Sequence, residues 1–556
     1  LLKDMVQKIL LPHWRTFRRR NLSVASSNRP LIASSTRESK ITKLRKRSLV
    51  STQVKKEFDV PISVADFHLR NEQLPFAYFF DARLDPSELQ ESFSKVLKYF
   101  PTAGGKLINY QQIRCSPSDS VPISFVDVEM TMQEWLSVSR GHLHQSGNGH
   151  HPSLLQIFDP LFHSDLACTK AQNDSGEPEA FGNLLTARIT HFANNSGTAV
   201  ALTANHILGD TASCVRLAEC WGLAHQQRQF GVPCLDRSVL STTGMMNPTM
   251  VDLMENELAS YQEKEQENLT SWWLDLFSLD NELNKTEKRL TIDHEYISLS
   301  FSVEVLDAMK AHGMRSCETS NNKNDCVNPL YISKNDMIMA FAWFLKQHLS
   351  SDDNASCLSI VMNLRGRCGL NNFKGDGDRT DLNGVKQKKG LFGNGIMNVF
   401  ADESTRESNR ADALSKVSRA SRAIRLALIQ GEKEINLRID QSKMGRPSSS
   451  STKPSSSTSS YFSTTSWRQL SPQNVSFSPS SKLVSFHGQP AHPIPEGRTY
   501  TSVVHADLKT MGSTLDLFLP SDQSDEALKL HKDLCNLFLG WYKESIRSQK
   551  RKETKQ

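Results

Sequence analysis

Apolar and polar positions change their period along this chain, and the changes mark its elements. Leu184 to Thr190 and Thr198 to Ala204 alternate in steps of two around Asn194-Asn195-Ser196-Gly197, which predicts two strands joined by a turn. Pro75 to Phe80, Tyr296 to Val303, Ser359 to Asn363, Thr501 to Asp507 and Thr514 to Leu519 also read as strands. Elsewhere the period lengthens to that of a helix. Asp85-Pro86-Ser87-Glu88 supplies a capping carboxylate, a proline at the first helical position and an acid in the first turn, and Leu89, Phe93, Val96 and Leu97 follow on one face. That helix stops before Pro101, and Gly104-Gly105 turns the chain. Val215, Leu217, Ala218 and Trp221 mark another helix, and Ser333-Lys334-Asn335-Asp336 opens one carrying Met337, Ala340, Phe341, Phe344 and Leu345. Further helices are predicted over Glu255 to Phe277, Ala411 to Arg438 and Glu526 to Ser545. Strands and helices mix throughout, so the fold class is α/β or α+β.

The stretches without a period are as informative. Residues 1–50 read as a disordered basic arm, with the folded part starting near Glu57. Residues 228–250 read as a crossing linker, and 371–389 and 446–465 as inserted loops. His142, His144, His150 and His151 lie in a Gly/Ser/Asn-rich stretch with no carboxylate or cysteine at a ligand spacing, so a polar loop is expected there rather than a metal site.

Charge is placed unevenly. The chain of 556 residues carries a net +6, yet residues 1–56 hold fifteen Lys or Arg against Asp4 and Glu38, which leaves the remainder net acidic. Nucleic-acid binding is therefore not expected. The basic arm, with Arg18-Arg19-Arg20 and many serines, suggests an organelle-targeting segment as the alternative to a cytoplasmic location; the chain opens on Leu1, so the true start is expected upstream. None of the ten cysteines forms a C-x-x-C pair, which favours free thiols in a reducing compartment. Apolar runs are too short for a membrane-spanning helix.

The candidate chemistry sits where a strand ends. Thr198 to Ala204 runs directly into Asn205-His206-Ile207-Leu208-Gly209-Asp210. An imidazole titrates near neutral pH and can take a proton from a hydroxyl or amine. A carboxylate four residues on can hold the loop through a salt bridge. By itself His-x-x-x-Asp is a common pattern.

Its context is less common. With six other segments in the same order, the motif resembles that of the plant and fungal BAHD-type acyltransferases. Phe100-Pro101-Thr102-Ala103-Gly104-Gly105-Lys106-Leu107 is similar to the family's Y-P-L-A-G-R-L turn, and Pro233-Cys234-Leu235-Asp236-Arg237-Ser238 to its P-x-x-D-R-[TS] segment. Ser333-Lys334-Asn335-Asp336 with Ala340-Phe341-Ala342-Trp343 resembles S-x-N-D-x-L-x-A-x-x-W. Asn363-Leu364-Arg365-Gly366-Arg367 resembles N-x-R-x-R, and Gly390-Leu391-Phe392-Gly393-Asn394 resembles G-Y-F-G-N. Trp467-Arg468-Gln469-Leu470 resembles the tryptophan segment before the last motif. That last motif, D-F-G-W-G, falls near Val475-Ser476-Phe477-Ser478-Pro479, where only the phenylalanine remains; Thr211 stands where the family usually has Gly.

The resemblance implies two chloramphenicol-acetyltransferase-like subdomains, at 51–230 and 291–556, joined by a linker and helix at 231–290, with a channel between them. It implies acyl transfer from a coenzyme A thioester to a hydroxyl or amine of a small molecule, with His206 as general base. Asp210 would be catalytic through the loop it holds, paired with Arg365 or Arg367. Gly393 and Asn394 would line the substrate and coenzyme A channel. No permanent cofactor, no metal, no nucleic-acid partner and a monomer are expected. A condensation-type relative would show His-His-x-x-x-Asp-Gly, against which Asn205 and Thr211 argue. A non-catalytic relative that kept the fold is the alternative suggested by the eroded last motif and the insertions.

Overall fold

The computed structural model describes residues 42–63, 66, 69, 73–108, 112–141, 183–237, 294–318, 331–349, 357–365, 391–402, 412–443, 461–468, 470, 472–488, 501–506 and 512–554. The histidines of 142–151, Arg367, the expected helix at 255–277, the inserted loop at 371–389 and residues 446–460 of the other lie outside these residues, as does the arm up to residue 41. The end of that second loop is corrected to strand, since Tyr461–Ser466 pairs in parallel with Cys357–Ile360.

Strands β1 Thr42–Ser51, β2 Phe58–Pro61, β3 Gln73–Phe80, β4 Lys106–Ile108, β5 Gln112–Cys115, β6 Ser120–Val128, β7 Leu185–Phe192 and β8 Thr198–Asn205 come from the first half of the chain. The second half supplies β9 His294–Phe301, β10 Cys357–Asn363, β11 Ile396–Asp402, β12 Tyr461–Ser466, β13 Leu483–Gly488, β14 Thr501–Ala506 and β15 Ser513–Pro520. Among the described residues they assemble into two six-stranded mixed sheets, β1-β6-β7-β8-β3-β13 and β11-β10-β12-β14-β15-β9, and a small one, β2-β5-β4. The helices are α1 Pro86–Leu97, α2 Met132–Gly141, α3 Thr211–His225, α4 Val303–Glu318, α5 Lys334–Leu349, α6 Ala413–Lys443 and α7 Ser524–Glu553.

Strands β3, β7 and β8 of the first sheet are covered on both faces, which is why they are rich in apolar residues at successive positions. Phe76, Tyr78 and Phe80 of β3, with Val200 and Leu202 of β8, face the core shared with α1 and α3. Their alternates Ala77, Phe79, Ala199 and Ala201 face Met132, Trp135 and Leu136 of α2. The second sheet packs against α4–α7 through an aliphatic and aromatic core that includes Phe301, Phe341, Trp343 and Phe538.

Two crossings tie the halves together. β13, from the second half, pairs antiparallel with β3, with Phe486 opposite Tyr78 and Gly488 opposite Phe76. The Trp467 amide donates to the Val504 carbonyl of the second sheet at 2.8 Å, while its ring lies 5.7 Å from that of Phe76 in the first. The eroded segment at 475–479 keeps a packing role. Phe477 is buried, edge-on to Phe80 and Trp221, and Ser476 lies so close to Gly222 of α3 that a Cβ there would meet its carbonyl oxygen at 2.3 Å.

The local readings of caps are met in detail. Asp85 accepts from the Ser87 and Glu88 amides, opening α1. Ser333 and Asp336 exchange side-chain and backbone hydrogen bonds ahead of α5, and Arg425 of α6 reaches the same Asp336 carboxylate. The expected disorder of residues 1–50 is corrected at its last stretch: Thr42–Ser51 is a strand, pairing antiparallel with β6. It is an edge strand whose many charges hid its alternation. Lys43, Arg45, Lys46 and Arg47 face solvent, Val50 is buried, and a register break falls between Leu44 and Lys46. Basic side chains and an irregular register on an edge discourage pairing with another chain. Among the described residues, no helix is long and apolar enough to cross a membrane.

Trp221 links the two helices over the first sheet. Its ring lies 4.3 Å from that of Phe93, and its indole N–H donates to the Leu89 carbonyl and Ser92 hydroxyl at 3.1 and 3.0 Å. Trp221→Ala is expected to cost about 3–5 kcal/mol in chemical denaturation, because it leaves a cavity in a close-packed core. Leu49→Ser, at a side chain 70% exposed, is expected to stay within about 0.5 kcal/mol of the parent.

Candidate functional site

β8 delivers His206 to the site. The strand ends at Asn205, whose side-chain oxygen accepts from the Ile207 amide and turns the chain into a single 3₁₀ turn, His206–Leu208. Gly209 follows with φ +157°, where a Cβ would also meet the Ser213 side chain at 2.7 Å; glycine is required there on both counts. Asp210 then caps α3, its Oδ1 accepting from the Ser213 amide at 3.0 Å. The whole motif occupies one strand end, one turn and one helix start, all buried.

The second half of the chain closes on this loop. Arg365, just past β10, donates through Nη1 to Asp210 Oδ2 at 2.5 Å, and through Nη2 to the Gly393 carbonyl at 2.7 Å and the Ser213 hydroxyl at 3.0 Å. The Gly395 amide also donates to Asp210 Oδ2, at 2.9 Å. The Asp210 carboxylate is thus fully engaged by one backbone amide from its own helix and by two donors from the other half.

Asn394 is buried beside His206. Its amide nitrogen donates to the His206 carbonyl and to Asp66 Oδ1, both at 2.7 Å. Gly393 donates its N–H to Ser213 Oγ at 3.1 Å. A Cβ on Gly393 would come within 3.1 Å of Arg237 Nε, and one on Gly395 within 3.0 Å of the Arg365 guanidinium. The two glycines let the 391–395 strip lie flat against both arginines.

Of the expected site residues, His206, Asp210, Arg365, Gly393 and Asn394 converge, whereas Arg367 lies outside the described residues. Two members of the cluster had no role assigned from sequence. Asp66 carries a signal that was readable, since Ser63 and Asp66 form an S-x-x-D capping pair: the Ser63 amide and hydroxyl donate to Asp66 Oδ2 at 2.7 and 2.8 Å. Arg237 is the arginine of the P-x-x-D-R-[TS]-like segment Pro233–Ser238, a motif that carried no role for it.

Burial pushes the His206 imidazole below its ordinary value; hydrogen bonding and the nearby carboxylates of Asp210 and Asp66 oppose the shift in part. At neutral pH the ring is therefore an uncharged base. Cys214, at the start of α3, is held as a thiol by burial and by the Asp210 charge, so it is no thiolate nucleophile. Among the described residues no group of three or more His, Cys, Asp or Glu is placed to hold a metal ion.

A model of the Transferase family matches residues 152–492. No curated protein matches the chain in sequence. Among solved structures, vinorine synthase is similar with a TM-score of 0.52 at 16% identity, over 87% of this chain and 95% of that one. F. sporotrichioides TRI101, solved with coenzyme A and T-2, is similar with a TM-score of 0.52 at 12% identity, over 86% of this chain and 99% of that one. The fold is that of the BAHD and chloramphenicol-acetyltransferase-like acyltransferases.

Two outcomes are expected from this arrangement. Arg365→Met leaves the Asp210 carboxylate buried without its cation and should destabilise the fold by about 3–5 kcal/mol in urea titrations, whereas a loss below about 1 kcal/mol would mean the pair is not a clamp. The second outcome concerns pH. The folded-state value of His206 lies below its ordinary 6.5, so between the two the unfolded chain binds a proton that the folded chain does not. Stability must then rise with pH through that window and fall on acidification. His206→Asn is expected to flatten the dependence of the urea midpoint between about pH 7 and about pH 5; an unaltered slope would show that the imidazole is solvated.

Proposed function

The chain belongs to the Transferase family, the BAHD-type acyltransferases, and from that premise we propose that it moves an acyl group from a coenzyme A thioester to a hydroxyl or amine of a small molecule, with His206 as general base. The observation that carries this reading is His206 itself: buried at a strand end, in a loop that both halves of the chain grip, with burial lowering its proton affinity.

The step needs no covalent enzyme intermediate. His206 takes the proton of the acceptor O–H or N–H as the acceptor atom attacks the thioester carbonyl. The carbon–sulfur bond then breaks, and the leaving thiolate receives the proton from the imidazolium. A positioned base of this kind supplies about 10²–10⁴-fold; the rest comes from holding two substrates in reacting geometry. Asp210 serves by position. With Ser213, Arg365 and Gly395 donating to its oxygens, it maintains the turn rather than relaying a proton. Gly393 and Asn394 form the wall behind the histidine, closing a channel on that side. TRI101 binds coenzyme A in its solved complex, which supports a thioester donor here. One chain provides both flanks of His206, so a monomer suffices.

The test pairs ligand binding with turnover. Thermal unfolding with acetyl-, malonyl-, hydroxycinnamoyl- and long-chain acyl-coenzyme A should show stabilisation by at least one of them, about 2.7 kcal/mol at about 100 times its Kd. His206→Ala should keep that stabilisation and lose at least about 10²-fold in thiol release with an acceptor. Full turnover in His206→Ala would remove the histidine from the mechanism. No stabilisation by any thioester would favour a non-catalytic member of the fold that binds something else.

A further inference from the structure

The turn that carries His206 is also held by a second buried ion pair, formed by residues far apart in sequence. Arg237 lies beyond α3 and Asp66 before β3; their side chains are 1% and 0% exposed, with Nη1 2.9 Å from Oδ2. The guanidinium points at the backbone of the histidine turn. Nη1 donates to the Ile207 carbonyl and Nη2 to the Leu208 carbonyl, each at 2.8 Å. The other oxygen of Asp66 holds Asn394, whose amide donates to the His206 carbonyl. Three consecutive carbonyls, at residues 206, 207 and 208, are therefore tied to one carboxylate, two through Arg237 and one through Asn394.

We infer that Asp66 and Arg237 are positioning residues for acyl transfer, setting the direction of the His206 imidazole through the backbone that bears it; this rests on the reading of His206 as the base. Three features support it. A guanidinium is the one side chain whose planar fork can donate to two adjacent carbonyls and a carboxylate together. Asp66 has no remaining oxygen for another task, since Ser63, Arg237 and Asn394 occupy both. An apolar pair would serve packing alone at least as well as buried charges, but it would leave the Ile207 and Leu208 carbonyls without the guanidinium and Asn394 without the carboxylate that orients it. The arrangement is separate from the Asp210–Arg365 clamp, which grips the other end of the loop.

The experiment uses two variants of the whole chain. Arg237→Lys keeps the charge pair but offers a single nitrogen that cannot span both carbonyls. Arg237→Met combined with Asp66→Asn removes both charges together, so neither is left buried alone. In each, kcat should fall by about 10–100-fold, as displacement of a reacting group by about an ångström does, with the KM for the acyl-coenzyme A donor nearly constant. The His206 signal in protein labelled with ¹³C at histidine Cε1, assigned by its loss in His206→Ala, should shift or broaden. Should the double variant not fold, Arg237→Lys carries the comparison. A folded variant with parental kcat and an unmoved His206 signal overturns the inference. Full turnover in His206→Ala instead overturns the base, and the two failures are told apart because the signal reports on the turn whether or not the histidine is catalytic.

Discussion

Asp210 divides its carboxylate between the two halves of the molecule. One oxygen caps α3, the helix that covers the first sheet, and the other receives Arg365 and the Gly395 amide, which flank strands of the second. A charge placed this deep is tolerable only when fully hydrogen-bonded. That requirement forces the 391–395 strip against the histidine loop and demands glycine where the strip touches an arginine. The site is thus a seam between two sheets, closed by charge rather than by apolar packing.

Charge and burial act on His206 in opposite directions. The surrounding core lowers the proton affinity of the ring, while the carboxylates of Asp66 and Asp210 restore part of it. Those same carboxylates are neutralised by the arginines that hold the backbone. The result is an imidazole whose proton affinity is lowered by burial and partly restored by the two nearby carboxylates. The backbone carbonyls at residues 206–208 are held by Arg237 and Asn394, and the Asp210 carboxylate by Ser213, Arg365 and Gly395, so the turn has little freedom to reorient.

Much of this was legible along the chain. The central strands β3, β7 and β8 of the first sheet announced themselves as apolar runs, because both of their faces are covered. Caps such as Asp85 and the Ser333–Asp336 pair were readable because capping is a local exchange of hydrogen bonds. The loop centred on His206 and the partnership of Asp210 with an arginine of Asn363–Arg367 followed from the family resemblance, and among the described residues Arg365 is the partner. β1 escaped notice because an edge strand exposed to water carries charges instead of an alternating pattern. The entry of β13 into the first sheet has no local signal at all: pairing of Leu483–Gly488 with Phe76–Phe80 is a contact across some four hundred residues.

The sequence by itself determined the caps, the central strands of the first sheet, the mixed α/β class and the family, since each depends on neighbours within a few residues or on motifs in order. Tertiary structure alone decided what surrounds His206. Asp66 and Arg237 are 171 residues apart and Asn394 lies a further 157 along, and nothing in their own neighbourhoods says that they meet. Buried charge explains why they do: each carboxylate excluded from water must find donors wherever the fold can bring them, and the donors it found here are those that hold the histidine in place.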